Sequence, residues 1–473
     1  MPVISPSKTP MPIADAKERA KTFREVNFGY DAARAVEEAD RCLRCQEPTC
    51  QTGCPVNVPI RGVIQLVSQR RFDDALALVK RFNSLPGVCG RVCPQENQCE
   101  GRCHVGDRFG PVGIGYIERF LADWERLHGP QPVHRAEPKG QKVAIVGSGP
   151  SGLTAAGDLN HMGYDVTVFE ALHDAGGVLR YGIPEFRLPK DVLDDEIASL
   201  VQSGVEIQCN VVFGKTVTLD QLMGEMGYDA VFIGTGAGLP RFMNLPGENL
   251  NGIYSSNEFL TRINLMGAYQ FPEYDTPVKS GRRVAVIGAG NTAMDAARCA
   301  MRAGSEEVTV VYRRSEAEMT ARVEEYEHAI EEGVQFKWLN NPIEFIDDGK
   351  GWVGGMRCQR MELGEPDEDG RRRPVPVPDS EFVMDVNNVI VSIGTSPNPL
   401  LARTTPDLAT SKWGGLMAED ATGQTSREGV FAGGDIVTGS ATVILAAGAG
   451  KRAAAAIDKY LAQKRGEVEV ASA

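Results

Sequence analysis

Residues 142–170 read KVAIVGSGPSGLTAAGDLNHMGYDVTVFE, and this stretch decides the class of fold. An apolar run is followed by a glycine-rich turn, a helical pattern and a second apolar run. In such a turn the first glycine bends the chain, the second lets a pyrophosphate approach the backbone, and the third packs helix on strand. The stretch therefore predicts a strand–helix–strand unit that holds a dinucleotide at the helix N-terminus. The candidate contacts in the turn are Gly147, Gly149, Pro150, Ser151 and Gly152.

The residue at the end of the second predicted strand indicates which dinucleotide binds. Glu170 lies where a carboxylate can accept hydrogen bonds from ribose hydroxyls, and it would repel a 2′-phosphate. This unit therefore favours FAD or NAD over NADP. A strand–turn–helix without a ligand is the alternative.

A second unit of the same kind, VAVIGAGNTAMDAARCAMRAGSEEVTVVYRR, occupies residues 284–314. Gly288 and Gly290 take the glycine positions, and Asn291 and Thr292 are expected to cap the helix and to contact the pyrophosphate. No acid follows the second strand, where Arg313 and Arg314 stand instead. Two guanidinium groups match a 2′-phosphate, so this unit predicts an NADPH site. An arginine pair that simply lies on the surface is the alternative.

The C-terminal stretch GVFAGGDIVTG, residues 429–439, supports a flavin at the first unit. The carboxylate of Asp435, which follows Gly434 at a strand end, can accept a hydrogen bond from a ribityl hydroxyl. A helix that begins near Thr442 would direct backbone N–H groups at the flavin pyrimidine and stabilise negative charge on the reduced ring. An ordinary strand–turn–helix is again the alternative.

Composition and charge exclude several classes of protein. With 473 residues, of which 42% are hydrophobic and 24% charged, the chain is globular and too long for one ordinary domain. Its net charge of −13 lies outside residues 1–140, which carry 20 Lys and Arg against 17 Asp and Glu. This acidic balance argues against nucleic acid as a partner. Residues 1–25 are expected to form a loose arm.

The sequence predicts a cytoplasmic protein that does not enter a membrane. The N-terminal residues contain no apolar core of a signal peptide, and no stretch approaches the roughly 18–20 apolar residues of a membrane span. In a reducing compartment, clustered cysteines are more often ligands of a metal or cluster than disulfides.

Eight of the eleven cysteines form two groups between residues 42 and 103. The first group is Cys42, Cys45, Cys50 and Cys54, and the second is Cys89, Cys93, Cys99 and Cys103. The spacing and the Cys54–Pro55 pair are typical of two [4Fe–4S] clusters, and two zinc ions are the alternative. In ferredoxins the cysteine before that proline binds the other cluster, so Cys42, Cys45 and Cys50 are paired with Cys103. Cys54 then joins Cys93 and Cys99, and by counting Cys89 completes that set.

The other three cysteines, Cys209, Cys299 and Cys358, are isolated from one another in the sequence. Disulfide reductases with two nucleotide domains need a redox-active cysteine pair beside the flavin, and these three provide none. We therefore expect electrons to leave the flavin through the clusters.

Together these motifs resemble the small (beta) subunit of bacterial NADPH-dependent glutamate synthase, over essentially the whole chain. The same module resembles the N-terminal half of dihydropyrimidine dehydrogenase. The stretches that carry the resemblance include CLRCQEPTCQTGCPVNVPI, VCGRVCPQENQCEGRC, GGVLRYGIPEFRLPK and GVFAGGDIVTG. The resemblance implies an α/β protein with a helical iron–sulfur domain at 1–140 and an FAD domain in two parts, 141–250 and 385–473. A Rossmann-like NADPH domain, 251–384, is inserted between those parts.

The resemblance also implies further site residues. It makes Gly177 and Arg187, in GGVLRYGIPEFRLPK, contacts of a cofactor. In relatives a Gln or Glu some fifteen residues past the last cysteine completes the second cluster, and Glu118 stands at that place. Counting favours Cys89 as that ligand and the resemblance favours Glu118, so both remain candidates.

The function implied by the resemblance is that of an NADPH-dependent oxidoreductase in a hetero-oligomer. Hydride would pass from NADPH to FAD, and electrons would continue through two [4Fe–4S] clusters to FMN in a large (alpha) subunit. That subunit makes glutamate from glutamine and 2-oxoglutarate. No side chain is assigned as a general acid or base. The alternatives are an NADPH:ferredoxin oxidoreductase of the transhydrogenase type and a zinc-stabilised nucleotide-binding scaffold.

Overall fold

The structure, a computed structural model, describes residues 5–130, 135–368 and 370–466. It confirms the predicted class, because a helical N-terminal domain precedes two parallel sheets that are flanked by helices. The described residues do not include the outermost residues of the predicted domains 1–140 and 385–473. They also do not include the centre of the linker between the first two domains.

The N-terminal domain is built from short amphipathic helices. In the helix Ile60–Ser68, the side chains of Ile60, Val63, Ile64 and Val67 recur on one face and are buried together. The rings of Phe72 and Phe120 meet edge to face, with centroids 5.0 Å apart. The helices are Ala16–Arg19, Ala32–Asp40, Thr49–Thr52, Ile60–Ser68, Phe72–Lys80, Pro86–Val92 and Ile114–His128.

The first sheet contains the first dinucleotide unit. Its five strands are parallel and lie in the order Val430–Ala432, Ala230–Ile233, Lys142–Val146, Asp165–Phe169 and Glu206–Gln208. The helices around it are Pro150–His161, Val178–Tyr181, Lys190–Gln202, Leu400–Thr404, Asp435–Thr438 and Val443–Lys464. Because its edge strand comes from residues 430–432, the stretch that forms the second parallel sheet, 253–391, interrupts this domain, as an inserted domain requires.

The inserted domain has a second five-stranded parallel sheet. Its strands lie in the order Ile253–Ser255, Asn388–Val391, Arg283–Ile287, Glu307–Tyr312 and Gln335–Trp338. An antiparallel sheet of Asn340–Asp347, Val353–Pro366, Arg372–Pro376 and Phe382–Asp385 extends from it. The helices are Ser256–Asn264, Asn291–Arg302 and Val323–Glu331.

The predicted boundary between residues 384 and 385 is wrong by several residues. The strand Asn388–Val391 pairs with Arg283–Ile287 on one side and with Ile253–Ser255 on the other, so it belongs to the inserted sheet. The chain returns to the first domain at the small antiparallel pair of Thr395–Ser396 with Leu239–Pro240. An apolar run such as NVIV predicts a buried strand, but it does not indicate which of two parallel sheets will take it.

The prediction of a loose N-terminal arm is also wrong for residues 5–25. The guanidinium of Arg19 is buried and pairs with Glu332 at 3.0 Å. The ring of Phe23 stacks on Tyr269 with a centroid distance of 4.2 Å, and Arg302 donates to the carbonyl of Thr22. The arm thus fastens the inserted domain to the N-terminal domain. Its sequence has no periodicity because its partners are distant side chains rather than its own neighbours.

None of the helices in the described ranges combines the length with the apolar character that a bilayer crossing would require.

Candidate cofactor and iron–sulfur sites

A cleft lies between the first sheet and the inserted domain. It brings together most of the predicted nucleotide contacts. From the first unit it is lined by Gly147, Gly149, Pro150, Ser151 and Glu170, and from the second by Asn291 and Thr292. Gly177, Arg187, Asp435 and Thr442 also line it, whereas Gly152, Gly288, Gly290, Arg313, Arg314 and Gly434 lie outside its lining.

The first glycine-rich turn is closed by backbone contacts that only glycine permits. Gly147 has φ +101°, and a Cβ on Gly152 would overlap the carbonyl oxygen of Gly147. A Cβ on Gly177 would lie 2.8 Å from the Cα of Gly149. The loop around Gly177 therefore covers the turn closely and leaves the start of the helix Pro150–His161 open to the cleft.

Glu170 is held at the end of the strand Asp165–Phe169. Its side chain is buried, and Oε2 accepts hydrogen bonds from the backbone N–H and hydroxyl of Ser148 at 3.0 and 2.5 Å. The backbone N–H of Leu172 donates to Oε1 at 2.9 Å. The carboxylate is thus fixed at the cleft wall, where the sequence places a ribose.

The opposite wall is formed by the C-terminal part of the first domain. Burial raises the pKa of Asp435 to about 6, and the backbone N–H of Ala441 donates to its carboxylate at 3.2 Å. Thr442 is the N-cap of the helix Val443–Lys464 and accepts from the backbone N–H of Leu445. The N-terminus of this helix therefore faces the cleft, as the flavin prediction requires.

Tyr181 lines the same cleft and was not among the predicted contacts. Burial, and next the nearby carboxylates of Asp435 and Glu170, raise the pKa of its hydroxyl to about 12. The hydroxyl therefore stays protonated at neutral pH and can donate a hydrogen bond in the cleft. It lies within the GGVLRYGIPEFRLPK stretch, but only the fold brings it near Asp435.

The second glycine-rich turn differs from its prediction in one respect. Gly290, not Asn291 or Thr292, is the N-cap of the helix Asn291–Arg302, so the capping prediction is wrong. The side-chain oxygen of Asn291 instead accepts from the backbone N–H of Arg322 at 2.8 Å. Asn291 therefore joins two loops of the inserted domain, and both it and Thr292 still line the cleft.

The two arginines after the strand Glu307–Tyr312 have different surroundings. Arg313 is exposed. Arg314 is buried, pairs with Asp367 at 2.7 Å and donates to the carbonyl of Arg372 at 2.9 Å. The guanidinium of Arg314 is thus already paired with residues of the antiparallel sheet. The exposed guanidinium of Arg313 is therefore better placed to contact a 2′-phosphate.

Arg313→Ala is therefore expected to weaken the binding of NADPH and to leave the binding of NADH almost unchanged. A hydrogen bond to a charged group contributes about 1.5–3 kcal/mol, so KM for NADPH should rise roughly 10- to 100-fold. Initial rates with both cofactors measure this, and Arg373→Ala, another exposed arginine, is the control. An equal rise of KM for NADH would contradict the assignment of Arg313.

Arg187 joins the two nucleotide domains. Its guanidinium is buried and pairs with both carboxylate oxygens of Asp295, at 2.8 and 2.7 Å, and with Glu325 at 3.0 Å. Both acids belong to the inserted domain. Arg187 also lines the cleft, but its charge is already compensated, so its main effect is to fix how the inserted domain faces the first.

Four of the cysteines line one small cavity near the surface of the N-terminal domain, and we call them the outer thiol group. They are Cys42, Cys45, Cys50 and Cys103. Burial, and next the charges of the neighbouring thiols, raise the pKa of Cys50 to about 11. The exposed guanidinium groups of Arg61 and Arg102 hold the surrounding loops by donating to the carbonyls of Cys45 and Thr52.

The four remaining cysteines of the N-terminal domain lie near Glu118, deeper in the domain. We call three of them, Cys54, Cys93 and Cys99, the inner thiol group. Burial, and next the charge of Glu118, raises the pKa of Cys54 to about 11. Burial also raises the pKa of Glu118, to about 7. Cys89 is fully buried beside Cys93. The structure therefore divides the cysteines as the ferredoxin pattern predicts and places both candidate fourth ligands beside the inner thiol group.

The inner thiol group adjoins the cleft. Val92 and Pro94, the neighbours of Cys93, line it. Pro55, the neighbour of Cys54, packs on Gly448 of the helix that begins at the cleft wall. The inner thiol group therefore lies beside the cleft, and the outer thiol group lies in a separate cavity near the surface.

The donor sets of both thiol groups fit an iron–sulfur cluster. Buried thiols that repel one another as thiolates require a cationic centre, and a coordinating thiol is deprotonated. Within the described ranges, no three His, Cys, Asp or Glu side chains converge closely enough to hold a single metal ion. A cluster is bound through separate irons at its corners, so its ligands need not converge on one point.

The chain matches two family models. Residues 19–130 match dihydropyrimidine dehydrogenase domain II, 4Fe-4S cluster, and residues 141–457 match pyridine nucleotide-disulphide oxidoreductase. Among solved structures, Mycobacterium tuberculosis FprA in complex with NADPH is similar in fold. It has a TM-score of 0.58 at 22% identity, over 70% of this chain and 87% of that one.

Two curated relatives are similar at the level of sequence. The NADP(+)-dependent formate dehydrogenase subunit beta of Moorella thermoacetica is 41% identical over 88% of this chain and 60% of its own length. The glutamate synthase [NADPH] small chain of Halomonas elongata is 39% identical over 94% of this chain and 95% of that one. The chain therefore belongs to the family of the glutamate synthase small chain and is an NADPH-dependent oxidoreductase with flavin, NADP and iron–sulfur domains.

Proposed function

We propose that this chain is the NADPH-oxidising, electron-input subunit of a glutamate synthase. FAD is held by Gly147, Gly149, Pro150, Ser151, Gly152, Glu170, Gly177, Gly434, Asp435 and Thr442, and NADPH by Gly288, Gly290, Asn291, Thr292 and Arg313. When bound, the flavin accepts a hydride and releases single electrons, and iron–sulfur clusters conduct them. The partner is a large FMN-containing subunit that forms glutamate from glutamine and 2-oxoglutarate.

We assign two [4Fe–4S] clusters to the N-terminal domain. The outer cluster is bound by Cys42, Cys45, Cys50 and Cys103. The inner cluster is bound by Cys54, Cys93 and Cys99, and by Glu118 in preference to Cys89. The separation of these cysteines into an outer group that lines one cavity and an inner group around Glu118 supports this assignment.

The positions of the two thiol groups indicate the direction of electron flow. The neighbours of Cys93 line the same cleft as the nucleotide contacts, while the outer thiol group opens among exposed arginines. The residues of this chain therefore do two things: they orient the nicotinamide and flavin in one cleft, and they provide an exit for electrons through the thiol groups. Arg187 contributes by fixing the inserted domain against the first.

The metal content tests the two-cluster assignment. The anaerobically purified chain is expected to contain about eight iron atoms and about eight acid-labile sulfides, because each cubane holds four of each. Iron and sulfide assays measure this, together with a broad visible absorption beneath the flavin bands. Zinc without sulfide would support the scaffold alternative, and about four irons would limit the chain to one cluster.

A second candidate differs only in the acceptor. The similarity to a formate dehydrogenase subunit beta favours an NADPH oxidoreductase that exchanges electrons with another enzyme's subunit. Purifying a tagged version of this chain from its own organism, and identifying the partner that purifies with it, distinguishes the two candidate functions. A large FMN-containing subunit with glutaminase activity supports glutamate synthase, whereas a formate-oxidising or ferredoxin-type partner contradicts it.

A further inference from the structure

Asn83 lies between the two candidate ligands that could complete the inner cluster. It follows the helix Phe72–Lys80 and precedes Pro86–Val92, and it is only 1% exposed. Its Nδ2 donates to Oε1 of Glu118 at 2.7 Å, and its Oδ1 lies 3.7 Å from Sγ of Cys89. One amide therefore contacts both side chains.

The orientation of this amide is fixed by a third contact. The backbone N–H of Leu85 donates to Oδ1 of Asn83 at 3.0 Å. If the amide were turned over, its NH₂ would face that N–H, and two donors would oppose each other. The oxygen must therefore lie on the side of Leu85 and Cys89, which leaves the NH₂ for Glu118.

We propose that Asn83 is the positioning residue that makes Glu118, and not Cys89, the fourth ligand of the inner cluster. This rests on the proposed presence of that cluster. The donated hydrogen bond holds one carboxylate oxygen, and the other makes none of the hydrogen bonds found in the described residues. That second oxygen is available to iron. The Cys89 thiol donates to the opposite edge of the amide, at Oδ1, and this contact orients its sulfur toward Asn83.

Groups that hydrogen-bond to a metal ligand fix its orientation, and their loss typically costs 10- to 100-fold in metal affinity. Asn83→Leu preserves the approximate volume and removes both hydrogen bonds. In the anaerobically purified full chain, we expect inner-cluster iron to be released to a chelator at roughly 10- to 100-fold lower chelator concentration. The EPR spectrum and midpoint potential of that cluster should change as well. The outer cluster should keep its spectrum and iron, which serves as an internal control for folding.

Single variants of the two candidate ligands separate this proposal from the assignment beneath it. Glu118→Ala should alter the inner cluster at least as strongly as Asn83→Leu, and Cys89→Ser should leave it intact. If Glu118→Ala changes nothing, the ligand assignment fails. If Glu118→Ala alters the inner cluster but Asn83→Leu does not, the ligand stands and the positioning role of Asn83 is overturned.

A rescue experiment covers the case in which Asn83→Leu does not fold. Asn83→Asp has the same size but sets a carboxylate against Glu118, so it should destabilise the inner cluster. Adding Glu118→Gln restores a donor and an acceptor between the two side chains, and the inner-cluster EPR signal should return. An unchanged cluster in the single variant, or no recovery in the double variant, would contradict the proposal.

Discussion

Cys103→Ala is expected to abolish electron delivery to the large subunit while NADPH still reduces the flavin. Cys103 belongs to the outer thiol group and lines a cavity near the surface that shares no residue with the lining of the nucleotide cleft. Removing a direct ligand should cost more than the roughly 10- to 100-fold that loss of a supporting residue costs. Glutamate formation in the complex should therefore fall by more than about 100-fold.

Two measurements on the same preparation check this result. Anaerobic mixing with NADPH should bleach the flavin bands at close to the wild-type rate, and the iron content should fall by about half because one of two cubanes is lost. Cys209→Ala is the matched control, because Cys209 is also partly exposed but isolated from other cysteines. Normal glutamate formation by the Cys103 variant would remove the outer cluster from the electron path.

Arg187→Met is expected to lower the free energy of unfolding by about 3–5 kcal/mol, since it leaves buried carboxylates without their partner. Asp295 is the more affected of the two acids. Burial already raises its pKa to about 6 even with Arg187 present, whereas Glu325 retains its pairing with Arg298. The loss should also impair hydride transfer, because the inserted domain is no longer fixed against the first.

Denaturant unfolding of the cofactor-loaded chain measures this change. Arg126→Met is the control, because Arg126 forms ion pairs with Asp191 and Asp195 that are largely exposed and should contribute less than about 1 kcal/mol. Adding Asp295→Asn to Arg187→Met should recover part of the loss by removing the unpaired charge. A loss for Arg187→Met no larger than that for Arg126→Met would show that the pair does not hold the domains together.

The features that could be predicted from sequence depend on residues close together in the chain. The turns at Gly147 and Gly288 are local, because each glycine has a positive φ, +101° and +124°, that residues with a side chain rarely adopt. The spacing of the early cysteines is local in the same sense, and with the ferredoxin pattern it predicted how the structure divides them. Two nucleotide units and an N-terminal iron–sulfur domain followed from these patterns.

The features that sequence missed depend on contacts between distant segments. Asn83 meets Glu118 only when the loop before Pro86–Val92 packs against the helix Ile114–His128, and nothing in the pattern around Asn83 distinguishes it from an ordinary loop residue. The difference between Arg313 and Arg314 arises because Asp367, on another hairpin, pairs with only one of them. The buried arm around Arg19 likewise depends on acids from the inserted domain.

The stoichiometry of the intact complex tests the proposed function most directly. The complex captured through a tagged version of this chain is supplied anaerobically with NADPH, glutamine and 2-oxoglutarate, and NADPH oxidation and glutamate formation are measured together. We expect one NADPH to be oxidised for every two glutamates formed. The amide nitrogen of glutamine and one hydride convert 2-oxoglutarate into one glutamate, and the glutamine that has lost its amide nitrogen is the other. NADPH oxidation without glutamate formation by the captured complex would contradict the assignment of this chain to glutamate synthesis.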